Sequence, residues 1–256
     1  MAEPARQPVA LVTGASAGLG VEFARQLSTR GHRLVLVARR KERLQELAAE
    51  LGNARAVAVD LSAPRAAAQL IADIDNAGEQ VHLLINNAGF GLRGYFAKQD
   101  PARLRQMIDL NCGVLTELCS AVLPQMIEGR SGAILNVAST AAFQPGPGMA
   151  VYYATKAFVL SLSEALHEEA KPHGVKVTAL CPGPTRTEFG EIAGFSKGAD
   201  LGGIWMDAEP VVRKGLTALD SNKGVVITGP LNRAVAFATR FAPRPLARKV
   251  AGALNL

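Results

Sequence analysis

The chain has 256 residues, 48% hydrophobic and 20% charged, a balance that excludes a disordered or fibrous polymer. Its 28 Lys and Arg outnumber its 22 Asp and Glu by six, yet every acid lies at or before Asp220, and the surplus is Lys223, Arg233, Arg240, Arg244, Arg248 and Lys249. The first 220 residues are neutral overall, so the body offers no basic face for nucleic acid. Cys112, Cys119 and Cys181 include no CxxC pair and cannot make an even disulfide set, which points to a reducing, cytoplasmic compartment and to no metal site. The opening residues are read as carrying no secretory leader.

Short Val, Ile and Leu-rich runs alternate with helical patterns along the chain. Strands are predicted at 9–12, 34–37, 56–59, 83–85, 133–137, 175–180 and 225–228, and helices at 19–28, 41–51, 65–76, 102–127, 151–170 and 208–219. The alternation predicts an α/β fold: one doubly wound domain over residues 1–230, with a seven-stranded parallel sheet and helices on both faces. Asp100 and Pro101 read as the N-cap and first-turn proline of the fourth helix. Two segments fall outside the alternation: a lid at 182–206, and a basic amphipathic C-terminal extension at 231–256.

The first predicted strand runs into Thr13-Gly14-Ala15-Ser16-Ala17-Gly18-Leu19-Gly20, at the start of a helix. Glycines there allow a sharp turn and let a pyrophosphate approach the helix N-terminus. The second strand ends in Arg39 and Arg40, where an acid would accept from a ribose 2′-hydroxyl; guanidiniums suit a 2′-phosphate instead. Tyr152 and Lys156 stand four apart on one helix face, so the ammonium is expected to lower the phenol's pKa and fit it for acid–base work. Tyr153 reads as a packing residue. Ser139, Asp60, the run Asn86-Asn87-Ala88-Gly89, and Pro182-Gly183 with Thr185 and Thr187 gather at strand ends on the carboxyl edge of the sheet, where ligands bind in open α/β folds.

Taken in order over residues 8–229, the glycine run, the Asn86-to-Gly89 run, Asn111, Ser139, the Tyr152-to-Lys156 spacing and the Pro182-Gly183 turn resemble the classical short-chain dehydrogenases/reductases. The resemblance implies a Rossmann-like domain, a nicotinamide cofactor and a Ser-Tyr-Lys centre assisted by an Asn. Tyr152 would exchange a proton with the reacting oxygen, Ser139 would hydrogen-bond it, Lys156 would tune Tyr152 and hold the nicotinamide ribose, and Asn111 would hold a water linking Lys156 to solvent. Gly14, Ser16, Gly18, Leu19, Gly20, Asn87, Ala88, Gly89, Pro182, Gly183, Thr185 and Thr187 would cradle the cofactor, with Asp60 and Leu61 beside the adenine. Ala17 stands where some NADP-preferring relatives carry a base, so preference for NADP(H) over NAD(H) rests on Arg39, helped by Arg40.

The expected substrate is an apolar ketone, aldehyde or secondary alcohol, met by Phe90, Phe143, Phe189 and Trp205, with Phe195 also on the lid. Arg93 and Arg186 read as solvated. A 3-oxoacyl-thioester reductase is the narrower enzyme reading; a non-catalytic NADP-binding sensor or scaffold is the rival. The extension fits packing on the body or a neighbouring subunit, a cover over the pocket, or peripheral contact with an anionic membrane. The resemblance also implies a homodimer or homotetramer, for which Ala154, Phe158, Ser161 and Ala165 offer a face.

Overall fold

The structure, a computed structural model, describes residues 6–194, 205–239 and 241–255. The seven predicted strands form β1 (Gln7–Thr13), β2 (Leu34–Ala38), β3 (Ala54–Ala58), β4 (Glu79–Asn86), β5 (Ala133–Val137), β6 (Lys176–Cys181) and β7 (Val225–Ile227). They make one parallel sheet in the order β3-β2-β1-β4-β5-β6-β7. The chain steps outward from β1 to β3, then crosses back to lay β4 on the other side of β1. That reversal opens a crevice at the carboxyl ends of β1 and β4.

The helices are α1 (Gly18–Thr29), α2 (Lys41–Leu51), α3 (Ala66–Asn76), α4 (Pro101–Ile108), α5 (Leu115–Glu128), α6 (Ala150–Ala170), α7 (Phe189–Ala193), α8 (Ala208–Asp220), α9 (Pro230–Ala238) and α10 (Arg244–Asn255). Successive strand residues feed opposite cores, as a period of two requires. Ala10 and Val12 meet Phe23 and Leu27 of α1 and Val211 and Leu216 of α8, whereas Val9 and Leu11 share a core with Leu70 of α3, Leu118 and Val122 of α5 and Val159 of α6. At about 25 cal/mol per Å² of apolar surface buried, these two layers are the main stabilising term. As expected from the sequence, Asp100 caps α4, its side chain accepting from Ala102 N–H at 3.0 Å with Pro101 next in line. The stretch Pro101–Glu128 is long and apolar enough to cross a membrane by length and composition; here Leu104, Met107, Leu118, Val122 and Met126 are buried as core.

A polar thread crosses the second core. Asn86 Nδ2 donates to Asn136 Oδ1 at 2.9 Å, Asn136 Nδ2 donates to Ser163 Oγ at 3.0 Å, and Ser163 Oγ donates to Val159 O at 2.6 Å. Every link is paired, which is what allows such a chain to persist in an apolar interior.

Three expectations need correction. The helix predicted without a break over 102–127 is interrupted by a π-helical turn at Asp109–Val114, between α4 and α5. β4 begins at Glu79, earlier than its apolar pattern, because Glu79 is buried yet paired: Arg55 Nη2 reaches its carboxylate at 2.7 Å and Arg33 Nε at 3.3 Å. The extension uses only part of the apolar face expected of it (Leu231, Ala234, Val235, Ala238 and Phe241), with Leu231 and Val235 alone lining a cavity. Asn232 of α9 donates to Thr228 O at 2.9 Å and turns Ala236 inward, leaving Ala234, Ala238 and Phe241 exposed. The lid positions Phe195, Leu201 and Ile204, and Arg240 of the extension, lie outside the described residues.

Candidate active site

The crevice continues into a cavity of about 620 Å³. At its floor the ends of β1 and β4 are laced together. Thr13 Oγ1 accepts from Asn87 N–H and Ala88 N–H, both at 3.0 Å, and donates to Ile85 O at 3.2 Å. Asn87 Nδ2 donates to Thr13 O at 3.0 Å and Gly14 O at 3.3 Å, so its amide fastens the glycine turn while the residue lines the cavity. Gly14 and Gly18 have φ of 67° and 53°, a region that favours glycine. A Cβ at Gly14 would come within 2.9 Å of Ala88 Cα, and one at Gly18 within 2.9 Å of Thr187 Cβ. The N-terminus of α1 is uncapped: Ala17 offers no side-chain acceptor and no acid lies in the first turn. Shallow backbone, free N–H groups and a positive helix end suit a pyrophosphate. Gly20 is not on the cavity wall. It lies underneath, where a Cβ would strike the Gly14 carbonyl and the Asn87 amide.

Ser16, Leu19, Arg39, Arg40, Asp60, Leu61, Ala88, Gly89, Pro182, Gly183, Thr185 and Thr187 all line the same cavity. The two arginines differ in a way their adjacency hid. Arg40 Nε and Nη2 donate to Ser16 Oγ and O at 3.1 and 3.0 Å, and its Nη1 meets Glu188 at 2.7 Å. It is engaged with the glycine loop and the lid, not held ready beside Arg39. Arg39 is exposed, with no hydrogen bond or ion pair among the described residues, and its charge helps hold the Asp60 carboxyl below its usual range, after the larger effect of the Ser62 hydroxyl. Glu188 is held down in the same way by Arg40 and Arg43.

Toward the other end, α6 presents Tyr152 and Lys156, both buried. Ser139, which follows β5, lies near enough to the Tyr152 phenol to favour its ionised form, and its Oγ accepts from Ala141 N–H at 3.1 Å. Lys156 Nζ donates to Val137 O at 2.7 Å and stands 5.9 Å from the Tyr152 ring centroid. The expected lowering of the phenol's pKa is absent in this state of the protein. Burial pushes Tyr152 up to about 12, only partly offset by Ser139, and burial pulls Lys156 down to about 8. Desolvation of both groups outweighs the attraction between them because the ammonium is turned to a carbonyl rather than to the phenol.

Asn111 sits in the π turn, 1% exposed and behind the cavity wall. Its Oδ1 accepts from Phe90 N–H at 3.1 Å, and its Nδ2 donates to Phe90 O at 3.0 Å and Thr155 Oγ1 at 3.1 Å. Both ends of the amide are engaged by protein, so here Asn111 staples the loop after β4 to α6 and is not joined to Lys156.

The four aromatic residues expected to meet a substrate all lie on this cavity. Phe90, Phe143, Phe189 and Trp205 line it, and the Phe189 ring lies 5.3 Å from that of Tyr152. Arg103, whose guanidinium lies 4.9 Å from the Phe90 ring centroid, Gln106 and Asn255 line the wall without having carried a signal in the sequence, whereas Leu231 and Val235 line it from the extension's expected apolar face. Arg93 is not solvated; it is half-buried and donates to Asn255 O at 2.6 Å. Arg186 is exposed and pairs with Asp207 at 3.1 Å.

Residues 8–193 match the family profile described as short chain dehydrogenase. The NADP-dependent 3-hydroxy acid dehydrogenase YdfG of Shigella flexneri is 38% identical over 187 residues, covering 72% of this chain and 75% of that protein. A short-chain dehydrogenase from Sphingobium yanoikuyae in complex with NADPH is 38% identical and superposes with a TM-score of 0.82 over 93% of this chain and 94% of that one. The bulky-bulky ketone specific alcohol dehydrogenase from Comamonas testosteroni is 31% identical, with a TM-score of 0.77 over 92% of this chain and 93% of that one. With its profile match running from the first strand into the lid, and whole-chain superposition on these enzymes, the chain belongs to the short-chain dehydrogenase family of oxidoreductases.

Proposed function

We propose that the protein is an NADP(H)-dependent carbonyl reductase or alcohol dehydrogenase acting on apolar ketones, aldehydes or secondary alcohols, with Tyr152 as the proton donor or acceptor. The observation that carries the reading is one cavity lined both by Arg39, unpaired among the described residues, and by Ser139 and Tyr152 among aromatic side chains. NADP(H) fits the cradle: the glycine turn and the α1 N-terminus take the pyrophosphate, Arg39 takes the 2′-phosphate, and Asp60 and Leu61 border the adenine. When bound, the cofactor supplies or accepts the hydride.

Tyr152 enters the reaction protonated. A phenol pushed to about 12 by burial holds its proton throughout the neutral range and can donate it to a carbonyl oxygen as negative charge develops there. Ser139 donates a second hydrogen bond to that oxygen, a contact stronger in the transition state than in the ground state. Lys156, charged below about pH 8, supplies positive potential near the phenolate that donation leaves behind. Phe90, Phe143 and Phe189 exclude water and hold the apolar body of the substrate.

The outward face of α6 that carries Ala154, Phe158, Ser161 and Ala165 is exposed. We assign it to subunit contact in a homodimer or homotetramer, checked by light scattering on the purified protein with Phe158→Glu as the disrupting variant. The activity itself is tested by following NADPH and NADH oxidation against ketones, aldehydes and acyl thioesters. Turnover with apolar ketones and preference for NADPH is the expected result; cofactor binding without any turnover would sink the enzyme reading.

A further inference from the structure

The extension contributes Asn232, Thr239 and Asn255 to the polar part of the cavity wall, and Asn255 is the one whose side-chain donor is left over. Asn255 is 5% exposed and lies on the cavity wall. Its backbone carbonyl accepts from Arg93 Nε at 2.6 Å, and the Tyr153 hydroxyl donates to its Oδ1 at 3.4 Å. Its Nδ2 is buried and has no hydrogen-bond partner. The helix that carries it is seated firmly: Ala251 is fully buried, and Gly252 lies so close to Pro147 that a Cβ there would make van der Waals contact at 3.5 Å.

A buried amide donor left without an acceptor is costly, whereas one paired on binding discriminates between ligands that carry the acceptor and ligands that lack it. Tyr153 links this group to the reaction. Its ring lies 6.2 Å from that of Tyr152, edge to face, and its hydroxyl reaches Asn255. Tyr152, Tyr153 and Asn255 line one cavity, so a substrate body that runs past Tyr153 from Tyr152 would meet the unpaired amide. Arg103 also lines the cavity, residues 221–256 contain no acid, and Glu188, an acid that also lines it, is paired with Arg40 and Arg43.

We propose that Asn255, held by Tyr153, is a specificity-determining residue that donates a hydrogen bond to an acceptor oxygen on the far end of the substrate. The preferred substrates would then be bifunctional: an apolar ketone or alcohol carrying a second oxygen, as an ester, ether or carboxylate, remote from the reacting carbon. This deepens the reductase reading and rests on it.

The test uses the full chain and three phenylalkyl ketones alike except at the para position, which bears a methyl group, a methyl ester or a carboxylate. Wild-type kcat/KM should favour the oxygen-bearing compounds by about tenfold or more, as expected when a buried donor gains its partner. Asn255→Leu should erase the preference, lowering kcat/KM for the oxygen-bearing compounds by about tenfold more than for the methyl compound. Asn255→Asp should turn the preference against the carboxylate relative to the methyl compound. Tyr153→Phe, which keeps the ring and frees the amide, should relax the preference by a smaller factor and serves if Asn255→Leu fails to fold. Equal wild-type activity on all three ketones, or an equal loss on all three in Asn255→Leu and Tyr153→Phe, overturns the proposal. Ligand-induced shifts in Tm of wild type and Asn255→Leu separate this from the reductase reading. A larger shift with the ester that disappears in the variant, without turnover, preserves the subsite and sinks the reductase; turnover with no difference between the shifts sinks the subsite alone.

Discussion

The Lys156 ammonium lies 5.9 Å from the centre of the Tyr152 ring and gives its 2.7 Å hydrogen bond to the Val137 carbonyl. Buried together, the two groups move toward their neutral forms, the phenol up to about 12 and the ammonium down to about 8. Ketone reduction should hold level up to about pH 8 and fall above it as Lys156 loses its charge. A kcat profile that stays flat from pH 6 to 10 would remove Lys156 from the reacting pair.

The same shift fixes a pH dependence of stability. Between about pH 8 and the ordinary lysine value of 10.5, the unfolded chain holds a proton that the folded chain has released. Folded stability from this group therefore rises with pH across that window and is lost as pH falls through 8. Tyr152 acts with the opposite sign, but only between 10 and about 12. Urea unfolding at pH 7.5 and 9.5 should show wild type gaining on Lys156→Met at the higher pH.

Tyr152→Phe removes the proton and keeps the ring against Phe189. Its kcat should fall by about 10² to 10⁴, the usual worth of a positioned acid, while Tm stays within about 2 °C of wild type. A large fall in Tm instead would make the phenol a structural group.

Arg39→Ala should raise KM for NADPH by roughly 10- to 100-fold, the value of a charged hydrogen bond, with little change for NADH. Arg40→Ala should affect both cofactors alike, because Arg40 braces Ser16 and Glu188. Steady-state kinetics of the two variants with both cofactors will show whether these arginines divide the work in this way.

Asn111→Ala strips the Phe90 N–H and C=O of their buried partner. A loss of about 1–3 kcal/mol is expected, which for a chain of this size lowers Tm by roughly 2–12 °C. A relay role would show differently, as a pH-dependent loss of kcat at unchanged Tm.

The architecture could be read from the chain because its strands are short apolar runs buried on both faces, and the glycine turn and the Tyr152-to-Lys156 spacing are local patterns. What could not be read was tertiary. The engagement of Arg40 with Glu188 joins residues 148 apart, and Arg93 meets Asn255 across 162 residues. The π turn around Asn111 holds weak helix formers such as Asn111 and Gly113, but propensity does not tell a π turn from a weak stretch of α-helix. The phenol's raised pKa comes from burial, whereas helical spacing conveys only proximity to Lys156.

The thread from Asn86 through Asn136 to Ser163 acts on catalysis from a distance. Ser163 is about three turns along α6 from Tyr152, with no other hydroxyl at its level on the buried face, so only one phase of the helix closes the thread. Sliding or rotating α6 by one residue would leave the buried Asn136 Nδ2 without its acceptor. The Asn136–Ser163 contact thus works as an alignment pin that sets the height and azimuth of Tyr152 and Lys156 over the sheet. The walls of the substrate chamber are free to change under selection for new substrates while the reacting pair keeps its aim.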